Sequence, residues 1–400
     1  MQNAARMKLA VIALATALSV SAHAQLLDAL RNVSGTTPGV GASPWITEAG
    51  STWSFFYGLD AHVTYVSQTG PEDQENEVFS TNWLGIGAQR NIGSNMFVLA
   101  RGRVSLEPYT VGDDGYPQLF QYVTPENGGP LIDRMRTQEL FGELGVQFGY
   151  RPTQSTLISV YGAAVGQPAL GAAPWQLRSS GVDFAEAPFA HDIQESFQTA
   201  TSVVTAQFAT GWLSIEGSVF HDSTPSADGT ELDMGDIDSN SLRLTIMPSR
   251  NFALQVSRGE LGEDLRQREI MSASLTYGSQ AAAVTALYTT REYANEVVLG
   301  EGETAYGIEV ALRGARNTFM VRAEHVERPA GFPLFPFGEG VDDATHLTAG
   351  YVFDLMNTNR YRAGLGVNID YRTQTHDLEE IYGHKPQGIY AFVRLRTNGQ

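Results

Sequence analysis

The 400-residue chain contains no cysteine, and this absence excludes a disulfide scaffold, a zinc site built on thiolates and a cysteine nucleophile. Positive charge is also scarce, because 26 Lys and Arg side chains stand against 44 Asp and Glu and leave a formal net charge of −18. A chain this acidic lacks the basic surface that binds the phosphates of nucleic acid. With 18% charged and 10% aromatic residues, the composition also argues against general disorder.

No unbroken apolar run reaches the roughly 18 residues that a membrane-spanning helix needs. A shorter apolar run at residues 9–20 follows Arg6 and Lys8 and precedes the small-residue sequence Ala22-His23-Ala24. This three-part pattern is typical of a secretory signal peptide. We therefore predict a signal peptide at residues 1–24, cleaved after Ala24, and an exported mature protein.

Apolar and polar residues alternate along most of the remaining chain. From Trp53 to Val66, apolar side chains recur at every second position, and a period of two over this length indicates a β-strand. Sixteen segments show this pattern, most of them about 9–14 residues long, which is enough for a tilted strand to cross a bilayer. The segments lie near 52–67, 78–91, 95–108, 137–150, 155–165, 194–208, 211–221, 240–248, 251–259, 268–278, 281–292, 303–314, 317–328, 344–355, 360–373 and 386–396.

The connections between these segments alternate between tight turns and long loops. The turns are rich in Gly, Asn, Ser and Pro, as at residues 91–94 and 151–154, and such residues suit tight backbone angles. A soluble β-sandwich does not explain this alternation, and a propeller would show a repeat of about 40–50 residues that is absent here. Inside lipid every backbone group must be paired, so such a sheet closes on itself.

The pattern predicts an all-β fold, a transmembrane antiparallel β-barrel of about 16 strands with short periplasmic turns and long external loops. The barrel domain would span residues 51–400, with a periplasmic N-terminal segment at 25–50. We expect the protein to lie in the cell outer membrane of a Gram-negative bacterium.

Three stretches of the chain resemble an uncharacterised family of porin-like bacterial outer-membrane β-barrel proteins. They are residues 115–144, the sequence Gly-Gln-Pro-Ala-Leu-Gly at 166–171, and Leu-Arg-Leu at 242–244. The resemblance implies a fold and no catalytic residue. It also implies contact with outer-membrane lipid, lipopolysaccharide and the barrel-assembly machinery, and it leaves a homo-oligomer open.

The C-terminal sequence departs from the general pattern of such barrels. Their chains usually end in an aromatic residue that the assembly machinery reads, whereas this one continues past Phe392 to Gln400. We expect Gly388, Tyr390 and Phe392 to act as an internal version of that signal.

Charged side chains of both signs fall on the strand face that would line the lumen. In a water-filled barrel such fixed charges set ion preference, and in a filled barrel they pair across strands. The predicted pore-lining residues are Asp60, His62, Arg101, Arg103, Glu107, Glu139, Glu143, Glu216, Arg243, Glu309, Arg322 and Glu324. The same face would also carry Arg313, Arg360, Arg362, Arg372, Arg394, Arg396, Asp354 and Asp370.

The third external loop, residues 166–193, is long and contains three prolines. Loops of that length in a compact protein are usually functional. In porins the corresponding loop folds inward and narrows the channel. The resemblance therefore implies a constriction loop in which Asp183, Glu186 and Asp192 face arginines of the wall, namely Arg101, Arg103 and Arg322.

The predicted function is an outer-membrane channel that passes small polar or ionic solutes by diffusion through a charged lumen, with no cofactor and no bound metal. A different reading is an occluded structural barrel that meets a partner through the acidic external loops at 71–77 and 222–239. A hydrolase is a distant third, because no G-x-S-x-G, H-E-x-x-H or P-loop motif occurs. The residues most similar to a catalytic triad are His191 and Asp192 followed by Ser196, and their order in the sequence alone does not make a triad.

Overall fold

The computed structural model describes residues 45–50, 52–69, 76–123, 131–195, 200–249, 251–262, 267–294, 302–329, 341–374, 379 and 382–398. The predicted signal peptide and Ser196 lie outside these ranges. Within them, no helix is long and apolar enough to cross a membrane.

The described chain consists almost entirely of β-strands. They are β1 Trp45–Ala49, β2 Trp53–Gln68, β3 Glu77–Ile92, β4 Met96–Val104, β5 Tyr116–Val123, β6 Leu131–Met135, β7 Phe141–Thr153, β8 Thr156–Val165, β9 Ala200–Thr210, β10 Leu213–Asp222, β11 Ser239–Ser249, β12 Phe252–Leu261, β13 Arg268–Gly278, β14 Ala282–Tyr293, β15 Glu303–Arg313, β16 Asn317–Pro329, β17 Val341–Asn357, β18 Tyr361–Gln374 and β19 Gln387–Thr397. Short helical turns occur at Glu107–Thr110 (α1), Trp175–Leu177 and His191–Gln194 (α2).

Sixteen of these strands close into one antiparallel barrel. Each of β2–β4 and β7–β19 pairs with its neighbours in chain order, and β2 also pairs with β19, so the ring has no open edge. The strand β1 pairs with residues 54–58 at the start of β2. The strand β19 pairs with the same edge of β2 from Asp60 onward. We call the end of the barrel with the short connections the turn end and the opposite end the loop end.

The two faces of the barrel differ as a lipid environment requires. Outward side chains such as Phe55, Ile86 and Phe148 are large, apolar and more than half exposed, while their inward neighbours are buried. Exposed aromatic residues stand near both ends, with Trp53, Trp212 and Tyr361 at the turn end and Tyr65 and Tyr306 at the loop end. An apolar outer band flanked by aromatic girdles is characteristic of membrane barrels.

All sixteen predicted strand segments are confirmed, and the structure adds elements that alternation did not reveal. The additional elements are β1, the β5–β6 hairpin and the helical turns. The hairpin lies within the second long loop, between β4 and β7, where it forms a separate two-stranded sheet.

Three predicted wall positions are corrected. Glu107 and Glu139 lie in the second long loop, because β4 ends at Val104 and β7 begins at Phe141. The chain leaves the strand before α1, whose second residue is Pro108, and proline is favoured in the first turn of a helix. Arg360 lies in the turn between β17 and β18, where it is exposed and pairs with Glu48 of β1.

Candidate functional site: the barrel interior

The third long loop lies inside the barrel. Every residue from Gly166 to Glu195 is buried except Asp192, which is partly exposed. We call residues 166–195 the inward loop. It contacts the wall near its own strands, where the Ala169 amide donates to Ser218 of β10 at 2.7 Å. It also reaches across the lumen to β16, which lies opposite β8 in the strand order.

Arg178 joins the inward loop to the wall. Its guanidinium donates two hydrogen bonds to Glu309 of β15, at 3.0 and 2.7 Å, and also pairs with Glu195 at the end of the loop. The hydroxyl of Ser180 donates to Glu309 at 2.9 Å. Because these groups are buried and joined by charge-assisted hydrogen bonds, the contact fixes the loop at one height in the barrel.

Asp183 lies deeper, among three arginines from β15 and β19 near the turn end. One carboxylate oxygen accepts from Arg313 at 2.9 and 2.6 Å, and the other contacts Arg394 and, at 2.8 Å, Arg396. Arg394 also donates to Asp354 of β17 at 2.6 Å. A single loop carboxylate thus meets three guanidinium groups.

Glu186 and Asp192 contact other parts of the far wall. Glu186 accepts from the Asn368 amide at 2.6 Å, and Arg322 approaches its carboxylate at 3.9 Å. Asp192 pairs with Arg291 at 3.2 Å and with Arg328 at 2.8 Å, close to the loop end. The three acidic side chains of the loop therefore bind at three heights along the barrel.

These contacts revise the predicted constriction partners. Arg322 does lie beside Glu186, but Arg101 and Arg103 contact neither Asp183 nor Asp192 in the described structure. Arg101 pairs with Glu143 of β7 at 3.3 Å, and Arg103 donates to the carbonyl of Gly142 at 3.1 Å. The reason is the path of the loop, which presents its acidic side chains to β14–β19 and not to β4.

Other predicted wall residues also pair with their neighbours inside the barrel. Arg243 binds Glu216 at 2.9 Å, and His62 lies 3.3 Å from Asp60. Glu324 accepts backbone N–H groups of the inward loop from Phe189 at 3.0 Å and from Ala190 at 3.4 Å. Sequence reasoning did not identify these loop contacts, because a period-two pattern shows which face a side chain occupies but not its partner.

The second long loop covers the inward loop from the loop end. Gln118 and Gln121 of β5 donate to the carbonyls of Ala187 and Phe189, each at 3.0 Å. Tyr382, from the last long loop, donates to Asp133 of the hairpin at 2.8 Å. We call residues 105–140 the cap, excluding 124–130, which the structure does not describe.

Glu107 holds the base of the cap. Its carboxylate accepts from the backbone N–H groups of Asn82 at 3.2 Å and Gln138 at 2.8 Å. Burial raises the pKa of the Glu107 carboxyl to about 7, while those two N–H groups and the nearby Arg136 charge oppose the rise. This carboxyl therefore titrates near neutral pH.

Apolar side chains form a further layer of the interior at the turn end. Trp45, Phe56 and Trp83 pack together, with ring centroids 5.7 and 5.4 Å from that of Trp45. We call the cluster to which they belong the apolar layer, and its other members are Phe97, Leu99, Leu157, Leu177, Ala209, Met247 and Ala253.

The acidic external loops are less isolated than their composition indicates. His221 contacts Asp238 at 2.9 Å and Asp233 at 3.3 Å, and Arg268 of β13 pairs with Asp222 at 2.6 Å. Most of the loop at 71–77 lies outside the described residues. Within the described ranges, no three His, Asp or Glu side chains are arranged to hold a metal ion.

Solved structures with the same architecture include bacterial outer-membrane proteins. Salmonella typhi OmpF, in a complex with daunomycin, is 9% identical with a TM-score of 0.55, covering 87% of this chain and 100% of that one. An anion-selective porin from Comamonas acidovorans is 12% identical with a TM-score of 0.53, covering 86% and 99%. A loop-deletion mutant of OmpT, an outer membrane protein of Vibrio cholerae, is 10% identical with a TM-score of 0.50, covering 86% and 100%.

The fold is that of a porin-like outer-membrane β-barrel. No family model and no curated protein matches the sequence itself. At about 10% identity, the similarity of this porin-like barrel to solved porins concerns architecture alone. Its interior has to be interpreted from its own residues.

Proposed function

We propose that this porin-like barrel is an outer-membrane channel through which small polar or ionic solutes diffuse, with the inward loop as its constriction. The observation that carries the proposal is the position of that loop. It crosses the lumen and presents Asp183, near the turn end, and Glu186, farther from that end, to cationic side chains of the wall. A solute that passes through the barrel must pass these charges, and the proposal assigns no catalytic role to any residue.

The charged surroundings of the loop support ion preference. Fixed charges in a narrow passage attract ions of one sign and repel the other, since the low-dielectric wall focuses their field. Asp183 is outnumbered by the arginines around it, so removing it leaves an uncompensated positive region. The mechanism is diffusion with electrostatic selection.

An occluded barrel is a second candidate, and the filling of the interior favours it. Inward-facing side chains on every side of the ring are less than a tenth exposed, including Glu216, Thr285, Arg322 and Asp370. Such an interior resembles a packed core. In this alternative the cap and the acidic external loops would form the surface that binds a partner.

Single-channel recording separates the two candidates. The mature protein is refolded and inserted in a planar bilayer under a salt gradient, together with the variants Asp183→Ala and Glu186→Ala. Stepwise conductance, with a reversal potential that the Asp183→Ala change shifts toward anion preference, supports the channel. The folded state is verified by the heat-dependent shift of the protein in gel electrophoresis. If the folded protein shows no conductance, the result contradicts the channel and supports the occluded barrel.

A further inference from the structure

Four arginines form a group near the turn end of the lumen. Arg313 ends β15, Arg362 is the second residue of β18, and Arg394 and Arg396 lie in the last turn-end positions of β19. Arg396 is close enough to the other three for their charges to repel its own. We call these four residues the arginine quartet.

The quartet has more positive charge than its neighbours neutralise. Its described carboxylate partners are Asp183 and Asp354, and Arg362 approaches Asp354 only to 3.8 Å. Even when Asp60, which lies opposite Arg396 in the β2–β19 register, is counted, three carboxylates stand against four cations. The Nε of the fully buried Arg394, and the Nε and Nη1 of Arg362, have no hydrogen-bond acceptor in the described structure. Within the same described ranges, the Oδ2 of Asp354 and the Oδ1 of Asp60 are also without a donor, so three guanidinium N–H groups stand against two carboxylate oxygens. Buried guanidinium donors without acceptors are costly, and the excess of donors favours a further anion.

Asp183 shows how this group accepts an anion. Its carboxylate belongs to the inward loop and not to the wall, and it contacts three members of the quartet. A carboxylate from a solute could take the same donors in exchange for Asp183. Arg–carboxylate pairs of this kind combine charge with directed hydrogen bonds.

The apolar layer stands at the same height on the other side of the lumen. Phe97, Leu157 and Ala253 are each the second residue from the turn end of their strands. The two surfaces meet at β2, where Gly58 lies opposite Trp45 and Asp60 lies opposite Arg396. The layer packs around Trp45 and Leu177, and its apolar side chains beside the arginines match a ligand that has a charged head and an apolar body.

We propose that the arginine quartet and the apolar layer together form a binding site for an organic anion with an apolar body, such as a medium-chain monocarboxylate. The carboxylate binds the quartet in exchange with Asp183, and the hydrocarbon part lies against the apolar layer. The inference rests on the proposed function and deepens it, because it names the class of solute.

The test uses titration calorimetry to compare hexanoate, acetate and hexylammonium as ligands of the refolded mature protein. The detergent is chosen so that its micelles take up little hexanoate. Burial of each methylene group strengthens binding by about fourfold, so hexanoate should bind at least about tenfold more tightly than acetate. Hexylammonium has the same length and the opposite charge, and it should not compete with hexanoate. Equal affinity for hexanoate and acetate would overturn the apolar contribution.

Two variants move the affinity in opposite directions. Arg362→Gln should weaken hexanoate binding by about tenfold, the usual effect of losing one charge-assisted hydrogen bond, and Arg362→Lys should recover part of it. Asp183→Asn should tighten binding, because the internal competitor is gone. Arg258→Gln, which removes an exposed arginine near the loop end of β12, is the matched control and should leave the affinity within about twofold. Weaker binding by Asp183→Asn would contradict the exchange.

Conductance recorded on the same preparations keeps this inference distinguishable from the proposed function. Hexanoate binding together with a hexanoate-dependent block of chloride current supports both. Binding by a protein that never conducts supports the site and contradicts the channel. Conductance that hexanoate does not alter, in a protein that binds no hexanoate, supports the channel and overturns the site.

Discussion

At the scale of single residues, the interior is organised by buried ion pairs between the inward loop and the wall. Removing one partner of such a pair costs far more than the pair contributes, because the remaining charge is left buried and uncompensated. Arg178 is the clearest case, since it pairs with both Glu309 of the wall and Glu195 of the loop. The loop position therefore depends on this guanidinium.

Arg178→Leu is expected to lower the free energy of unfolding by about 3–5 kcal/mol, the usual cost of breaking a buried pair. Urea unfolding of the refolded barrel, followed by tryptophan fluorescence, measures the change. Glu309 keeps Arg322 as a partner at 3.2 Å, so the double variant Arg178→Leu and Glu195→Gln removes the carboxylate charge that is left unpaired and should recover part of the loss. A single variant with wild-type stability would contradict the anchoring role.

Glu107 makes the attachment of the cap depend on pH. Its pKa is raised by burial from 4.5 to about 7, so the folded state keeps a proton that the unfolded segment releases. Stability from this group is therefore complete below about pH 4.5 and is lost as the pH rises to about 7. Hydrogen exchange in residues 105–123 and 131–140 should accelerate from pH 5 to pH 8, after correction for the intrinsic rate.

The variant Glu107→Gln tests the origin of that pH dependence. Glutamine keeps an oxygen that accepts an N–H group but carries no charge, so the extra acceleration should disappear. Persistence of the full pH effect in Glu107→Gln would assign it to another group.

Which residues pair inside the barrel could be predicted only in part. Alternation placed Asp60, Arg101, Glu216 and Arg322 on the inward face, because lipid outside the barrel leaves polar side chains no other direction. The partners of Asp183 and Asp192 depend on the path of a 30-residue loop across the lumen, and no local pattern encodes that path. Arg322 beside Glu186 was the one partner that loop order and length indicated.

At the scale of elements, strands that face lipid were readable from sequence and elements inside the barrel were not. The strand β1 has only five residues, Trp-Ile-Thr-Glu-Ala, which is too short for a periodic signal. The β5–β6 hairpin packs against the inward loop on protein surfaces, so its residues do not alternate as membrane strands do. Pro108 was a visible sign that the strand ends before Glu107, and it could have corrected that boundary.

The strand β1 is anchored by Trp45, whose ring packs directly on Gly58 and Gly85. The ring of Trp45 lies where side chains at Gly58 and Gly85 would otherwise stand, and a Cβ atom at Gly85 would come within 2.1 Å of that ring. Gly85→Ala should therefore displace Trp45 and destabilise the barrel by about 1–3 kcal/mol, as overpacking does.

Acrylamide quenching of a variant that retains Trp45 and has its other tryptophans replaced by phenylalanine reports this displacement. Quenching should increase in Gly85→Ala. Gly162→Ala is the matched control, because a Cβ atom there meets no other atom within 4 Å. Unchanged quenching in Gly85→Ala would show that the position of Trp45 does not depend on a glycine at residue 85.

At the scale of the whole molecule, the barrel is a closed wall around a separately ordered interior. Closure is required by lipid, which leaves no backbone group unpaired, and it accounts for the agreement between the predicted and observed strands. The interior follows different rules, since the inward loop, the cap and the apolar layer pack as a protein core does. In the proposed channel, this interior limits passage, and the wall supplies the positions of its charges.

The most direct test of the account is the single-channel conductance of a barrel whose inward loop has been shortened. Residues 174–190 are replaced by a short Gly-Ser linker, which removes Arg178, Asp183 and Glu186 from the lumen and leaves every strand intact. If this loop is the constriction, conductance should rise several-fold over wild type at equal salt, and the ion preference should change. Equal conductance in the two folded proteins would contradict the central claim that the inward loop limits passage.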